Sequence, residues 1–533
     1  MPGRNEAMNK NNKLPALAAA LTALLILGAC QGASAQNASQ RLEGVPEVNL
    51  SAIDDAELQT VLQDFEIYAE NGRKDWQVPG MAVAIVRGND TIYMHSFGNR
   101  SINGTSPVTN DTIFQIGSTS KAFTTTLVAM QVDKDNIKWD DRVIDHLPEF
   151  QMYDPWVTRE FMVEDLMAQH SGLPGYSADS LSILGYNRSY IKHAVRYIKP
   201  VTSFRSAYAY QNNLFLFAAG LVENKTGKSW EEDVQESIFE VLGMANSTTG
   251  MKPFQNESNV ASLHIMEDGR VRALPMDWKY LDWVYIYGPA GGINSNIIDM
   301  TKWLRLQMNN GAFEGRQLVS EENIRYTHSP KTIIGQNPLT GEGNVYYCQG
   351  WIYHEYNPYP IIWHNGGTSG HHTMVAFIPQ SKIGIVVLSN AGYTQLPEAL
   401  AFRFFDMYFG KPEVDWSAGI LSKVKEAENL TNSSMPKPPA TPSPALDLSS
   451  YVGNYTNEIY GQINVTSAED GLMATAGPVK AEMILKPWDR DIFRISVPDF
   501  ADNAGFASFQ ISPEGNASGV VMDVFDGATF NRG

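Results

Sequence analysis

Ser118 and Lys121 stand three residues apart within Phe-Gln-Ile-Gly-Ser-Thr-Ser-Lys-Ala-Phe (residues 114–123). The pattern reads as the start of a helix, where a hydroxyl and an amine at this spacing share one face. Gly117 allows a tight entry from the strand-like residues 113–116, and residues 124–132 have the apolar content of a buried helix. A serine hydroxyl is a weak nucleophile at neutral pH and needs a base beside it. Lysine supplies one once burial or nearby positive charge lowers its pKa. The pair fits a serine hydrolase that uses lysine. Ser189/Lys192, Ser422/Lys425 and Ser434/Lys437 repeat the spacing, so it is the buried-helix context that singles out Ser118.

Two further constellations carry chemistry. Tyr208-Ala-Tyr210-Gln-Asn212-Asn precedes the apolar residues 214–221. A phenol beside an ammonium has its pKa lowered, which would let Tyr210 take the serine's proton and return it to a leaving group. Asn212 could hold the lysine or a substrate carbonyl by hydrogen bonds. The third is Trp-His364-Asn-Gly366-Gly367-Thr-Ser-Gly-His-His, at the end of a strand pattern. Its glycines permit close approach of backbone to ligand, and the Gly367 amide would join that of Ser118 in an oxyanion hole. His371 and His372 are adjacent, cannot face one metal from a regular strand, and have no second ligand cluster, so neither metal nor organic cofactor is expected.

The elements that must position these groups follow from periodicity. Residues 54–76 read as an amphipathic helix, with Leu58, Val61, Leu62, Phe65 and Tyr68 at helical spacing and Ile67 off the stripe. Residues 80–86 and 91–97 form a hairpin pattern. A mostly helical region follows to about 310, then strand patterns at 349–356, 360–364, 373–378 and 383–389, and a helix at 396–409. Strands at both ends of a helical middle predict an α/β (α+β) fold, with one antiparallel sheet flanked by helices and a helical insert subdomain. The expected organisation is an export signal (1–35), an N-terminal linker (36–53), a hydrolase domain (54–410), a Pro-rich linker (411–445) and a small C-terminal all-β domain (446–533).

At 533 residues and 43% hydrophobic content the chain can bury a large core, while a net charge of −18 argues against nucleic acid or an acidic membrane surface as partner. Arg4, Lys10 and Lys13 precede an apolar run (14–29) too short for a comfortable span, as in an export signal. Two processing readings compete. Ala-Ser-Ala before Gln36 resembles a signal-peptidase site, and Leu-Gly-Ala-Cys30 a lipoprotein box that would place a lipid anchor on Cys30. Either sends the protein out of the cytoplasm, as a periplasmic, lipid-anchored or extracellular protein. Cys30 and Cys348 are the only cysteines, so stability must come from packing rather than internal disulfides.

Ser118-x-x-Lys121, Tyr210-x-Asn212 and His364-x-Gly366, in that order, resemble the three motifs of the serine β-lactamase and penicillin-binding-protein-like superfamily. Specifically they resemble the branch that holds class C β-lactamases, D-alanyl-D-alanine carboxypeptidases, D-aminopeptidases and family VIII esterases. Residues 78–84, 166–174 and 289–295 also look like this family, over roughly 55–410. The resemblance implies an acyl-enzyme on Ser118, with Lys121 and Tyr210 as the base system. It further implies that Asn212, His364, Gly366 and Gly367 bind substrate, which would be a small ester, amide, D-amino-acid peptide or β-lactam. His364 stands where many β-lactamases carry a lysine for the substrate carboxylate, which favours an esterase or D-amino-acid peptidase over a β-lactamase. The alternative of another class is a catalytically silent ligand-binding or cell-wall-binding protein.

Overall fold

The computed structural model describes residues 53–267, 269–337, 343–434, 436–437, 439–498 and 504–533. The expected export signal, Cys30 and the expected N-terminal linker up to residue 52 lie outside the described residues. The described chain forms two compact units, one ending at Pro436 and one running from Lys437 to Gly533.

Asp54 starts the first helix, α1 (Asp55–Asp75), by accepting from the amides of Ala56 and Glu57, while the Glu57 side chain accepts from the Asp54 amide. This capping box satisfies donors that a helix start otherwise leaves unpaired. Leu58, Leu62, Phe65 and Ala69 form the buried stripe and Ile67 is exposed. Each large apolar side chain on that stripe contributes about 1.5–3 kcal/mol by leaving water.

The hairpin is β1 (Gly80–Arg87) and β2 (Asp90–Gly98). The later strands are β3 (Thr332–Gln336), β4 (Asn344–Tyr347), β5 (Ile352–His354), β6 (Ile361–Gly367), β7 (His372–Ile378) and β8 (Ile383–Ser389). All eight make one antiparallel sheet in the order β3-β4-β5-β6-β7-β8-β1-β2, with Val83 opposite Val387 where the two ends of the chain meet. Between the two groups of strands lie α2 (Ser120–Asp133), α3 (Asn213–Thr226) and α4 (Ile297–Met308), and α5 (Leu396–Tyr408) follows β8. Side chains alternate across a strand, so Val83, Ile85, Ile385 and Val387 face α1 and α5, while Leu304 of α4 meets Gly384 on the opposite face. With both faces covered, β7 and β8 are buried throughout. The expected antiparallel sheet flanked by helices is what the structure has.

Two expectations need correction. Residues 411–445 are not one linker, because α6 (Trp416–Ser434) fills most of the span. Trp416 and Ile420 are buried, and the Trp416 indole donates to Asp406 Oδ2 at 2.6 Å. No proline falls between 416 and 434, so the helix-breaking composition begins only at Pro436. The strand expected through residue 116 shrinks to Phe114–Gln115, which pairs with Ile293–Ser295.

The second unit is a closed eight-stranded barrel formed by β9 (Gly453–Asn457), β10 (Gly461–Ala468), β11 (Gly471–Ala476), β12 (Ala481–Asp489), β13 (Ile492–Ser496), β14 (Phe506–Ile511), β15 (Ala517–Met522) and β16 (Ala528–Arg532). Alternating residues such as Tyr455, Ile463, Leu472, Leu485 and Phe493 are buried. Closure removes the unpaired edges an open sheet would present. Tyr455 and Asn457 on β9 repeat the spacing of Tyr210 and Asn212, but the Tyr455 hydroxyl donates to the Tyr451 carbonyl at 2.6 Å.

Candidate active site

The Ser118 turn is clamped from three sides. Gly117 takes a φ of 54° that favours glycine and opens a short 3-10 turn, Gly117–Thr119, which runs straight into α2. The Thr119 and Thr373 hydroxyls both donate to the Ile116 carbonyl at 2.8 Å, and the Gln115 amide donates to His371 Nδ1 at 2.9 Å. The last residues of β6 press on this turn. A Cβ on Gly117 would sit 2.8 Å from the Gly367 nitrogen, and one on Gly366 would overlap the Ile116 carbonyl oxygen. Packing against the nucleophile turn by itself thus requires a glycine at position 366. His371 is a structural acceptor, held neutral by burial with its pKa pushed down to about 3.

Lys121 is wholly buried, and its Nζ donates to Ser118 Oγ at 3.1 Å, Asn212 Oδ1 at 2.6 Å and the Ala290 carbonyl at 3.0 Å. Burial pushes its pKa down to about 7, with the Asp179 carboxylate pulling in the other direction. An amide oxygen and a carbonyl can only accept. When the amine is neutral, its two N–H groups stay on these acceptors and its lone pair is left for the Ser118 hydroxyl. The site can therefore hold a deprotonated lysine beside a serine near pH 7.

Tyr210 and Asn212 reach the site on a segment stitched to residues 166–174. The Gln169 side chain donates to the Gln211 carbonyl and accepts from its amide, at 3.0 and 2.6 Å, and the Tyr176 amide donates to the Tyr210 carbonyl at 2.7 Å. The Tyr210 ring centroid lies 4.6 Å from Lys121 Nζ, so the lysine meets the ring face. Its buried hydroxyl makes no hydrogen bond of ordinary geometry among the described residues, with the Ser118 hydroxyl nearby. Burial raises the phenol well above its ordinary pKa, aided by Tyr347 and opposed by Ser118. The sequence expectation of a lowered phenol pKa is therefore reversed. Loss of hydration outweighs the lysine, which is itself easily neutralised.

His364 is brought to the same place, but differently engaged than its sequence suggests. Its Nδ1 lies 2.6 Å from the Asn365 carbonyl and its Nε2 3.1 Å from the Tyr347 hydroxyl. The carbonyl can only accept, so Nδ1 carries the proton and Nε2 accepts from Tyr347. Burial, with Lys121 adding, pushes the imidazole pKa down to about 3. The histidine is neutral, with both nitrogens already occupied.

Sequence reasoning missed two residues here. Tyr347, on β4, is buried against Tyr208, Tyr210 and His364, with ring centroids 5.8–6.1 Å away. Asp179 accepts from Asn212 Nδ2 at 2.6 Å. No local pattern marks either residue, although the aromatic-rich segments 176–186 and 278–287 also pack near the site. Tyr176 lies 5.2 Å from Tyr210, and the Trp283 indole donates to Ser369 at 2.9 Å. Among the described residues no group of three or more His, Cys, Asp or Glu is arranged to hold a metal ion.

Comparison with known proteins agrees with this geometry. The β-lactamase family model matches residues 65–404, and that of a domain of unknown function (DUF3471) matches 437–532. The chain is 27% identical to an unguisins hydrolase of Aspergillus campestris, covering 86% of this chain and 88% of the relative. It is 25% identical to penicillin-binding protein 4 of Amycolatopsis lactamdurans, covering 72% and 95%. An octameric penicillin-binding protein homologue from Pyrococcus abyssi has the same fold, with a TM-score of 0.58 at 20% identity over 86% of this chain and 97% of that one.

Proposed function

Because the chain belongs to the β-lactamase family, a family of serine hydrolases, we propose that it is an exported enzyme that forms an acyl-enzyme on Ser118 and cleaves uncharged esters or amides, including peptide-type substrates. The observation that carries the reading is the placement of Lys121 Nζ: of its three partners, Asn212 Oδ1 and the Ala290 carbonyl can only accept, so the neutral amine keeps its two N–H groups on them and turns its lone pair to the Ser118 hydroxyl.

As Ser118 Oγ bonds to the substrate carbonyl carbon, its proton passes to the neutral Lys121 amine. The oxyanion forms against the amides of Ser118 and Gly367. Collapse breaks the carbon–oxygen or carbon–nitrogen bond, and the leaving group takes a proton from Lys121 through the Tyr210 hydroxyl, a high-pKa group that carries a proton at neutral pH. Water then attacks the acyl-enzyme with Lys121 again as base, releasing the acid and restoring Ser118. Asn212 holds the lysine, and His364 shapes the wall with Gly366 and Gly367 beneath it.

A neutral His364 with both nitrogens engaged gives no charge-assisted bond to a substrate carboxylate. That supports ester or internal amide substrates over β-lactams, and the similarity to an unguisins hydrolase supports a hydrolytic role. The basic and apolar leader supports export. Intact-mass spectrometry after a fluorophosphonate, aryl esters, peptides and benzylpenicillin tests the reading. A stable adduct on Ser118, absent in Ser118→Ala, is expected, and turnover by Ser118→Ala would overturn it.

A further inference from the structure

Asp179 lies at the start of a four-residue helix, Ser180–Ile183, a position where an aspartate ordinarily caps the helix, yet its side chain makes no capping hydrogen bond. Its Oδ2 instead accepts from Asn212 Nδ2 at 2.6 Å, and Asn212 Oδ1 accepts from Lys121 Nζ at 2.6 Å. Asp179 is 8% exposed at the residue level and Lys121 fully buried, with Asn212 half-buried between them, so both ends of the chain of three groups are shielded from water. An amide can span an acid and an amine in one orientation only, NH₂ toward the carboxylate and oxygen toward the amine.

We propose that Asp179 is the positioning residue of the site, fixing the Asn212 amide so that its oxygen holds the Lys121 amine in line with Ser118. The inference rests on the functional reading above, since it assigns a supporting role to the same base. Without the carboxylate only the lysine's own N–H orients the amide, and once the amine is neutral its lone pair can accept from a flipped Asn212 NH₂ group, which takes that lone pair away from Ser118. The buried carboxylate also acts through its charge, favouring the protonated lysine against the desolvation that disfavours it.

The groups facing Lys121 come from several elements. They are Ser118 on its own turn, Tyr210 and Asn212 on the segment before α3, Phe215 on α3, the Ala290 carbonyl, and His364 on β6. Of these the titratable members are Tyr210, held protonated, and His364, held neutral, so Asp179 is the negative charge that acts on the lysine. Removing it takes away the attraction that favours the ammonium. The acid limb of the rate profile then moves to lower pH, while a weaker and misoriented base lowers the plateau.

The test is the pH dependence of kcat/KM for an aryl ester, together with the rate of fluorophosphonate labelling of Ser118, in the native protein, Asp179→Asn, Asp179→Glu and Asn212→Ala. Asp179→Asn should shift the acid limb down by about one pH unit, a tenfold change in proton affinity, and cut the plateau at least tenfold, with Asp179→Glu restoring most of the limb's position. Asn212→Ala, which cuts the bridge and leaves the carboxylate, should cut the plateau alike, and it decides the matter if Asp179→Asn does not fold. An acid limb and plateau unchanged in Asp179→Asn, or a plateau unchanged in Asn212→Ala, with Ser118 still labelled, would overturn the role of Asp179 alone. Absence of any Ser118 labelling in the native protein would instead overturn the functional reading beneath it.

Discussion

The Tyr347 hydroxyl donates to His364 Nε2 across 3.1 Å in a fully buried setting, although the two residues lie on different strands of the sheet. The bond fixes the histidine tautomer and occupies the nitrogen that would otherwise point a hydrogen bond at substrate. Tyr347→Phe removes the donor and leaves a buried acceptor unpaired, which costs on the order of 1–3 kcal/mol. Chemical denaturation should show that loss, and wild-type stability in the variant would mean the pair is not made in solution.

The same occupied imidazole sets substrate preference. With no cation at position 364, substrates gain nothing from a carboxylate there. Short-chain aryl esters should be turned over with a kcat/KM at least about tenfold above benzylpenicillin, a difference of roughly 1.4 kcal/mol. Steady-state kinetics on both substrates checks this, and a preference for benzylpenicillin would place the substrate class elsewhere in the family.

Activity should rise with pH through the titration of the Lys121 site, near pH 7. Lys121→Met should lose at least a hundredfold in rate, within the range for removal of a general base. Lys121→Arg should not recover it, because guanidinium stays protonated and has no lone pair to offer. A rate profile flat from pH 5 to 9 would remove the lysine from the proton transfer.

Lys121 also links stability to pH. Its folded pKa, about 7, lies below the unfolded value of 10.5, so between those limits the unfolded chain binds the extra proton. On this account stability rises as pH goes from 7 toward 10.5, and below pH 7 both states are protonated and the slope vanishes. Denaturant titrations across pH 7–10 should show a smaller upward slope in Lys121→Met than in the native protein.

Gly366→Ala tests the contact between β6 and the nucleophile turn. The new methyl overlaps the Ile116 carbonyl oxygen, so either the strand end or the turn has to move. Both melting temperature and activity should fall, whereas Gly104→Ala, whose Cβ meets nothing closer than 3.9 Å, should change neither. Equal behaviour of the two variants would mean the packing at Gly366 is looser than described.

The sequence alone determined what depends on local spacing. A hydroxyl and an amine three apart before an apolar run, strands of alternating or continuous apolar residues, and turn glycines are all written within a few residues, and they were enough for Ser118 beside Lys121 and for a sheet built from both ends of the chain. The tertiary structure alone decided what depends on burial and on partners distant in the chain. Asp179 reaches Asn212 across 33 positions, and Tyr347 reaches His364 across 17. Neither pairing leaves a periodic trace in the sequence. Burial likewise reversed the expectation for Tyr210, whose phenol is pushed up where a lysine neighbour suggested the opposite. It also holds His364 neutral, with both ring nitrogens on partners within the protein. The helix at 416–434 was hidden for a related reason. Its buried tryptophan and isoleucine gain a helical surface only once α5 is in place to receive them, while the prolines just beyond dominate the local composition.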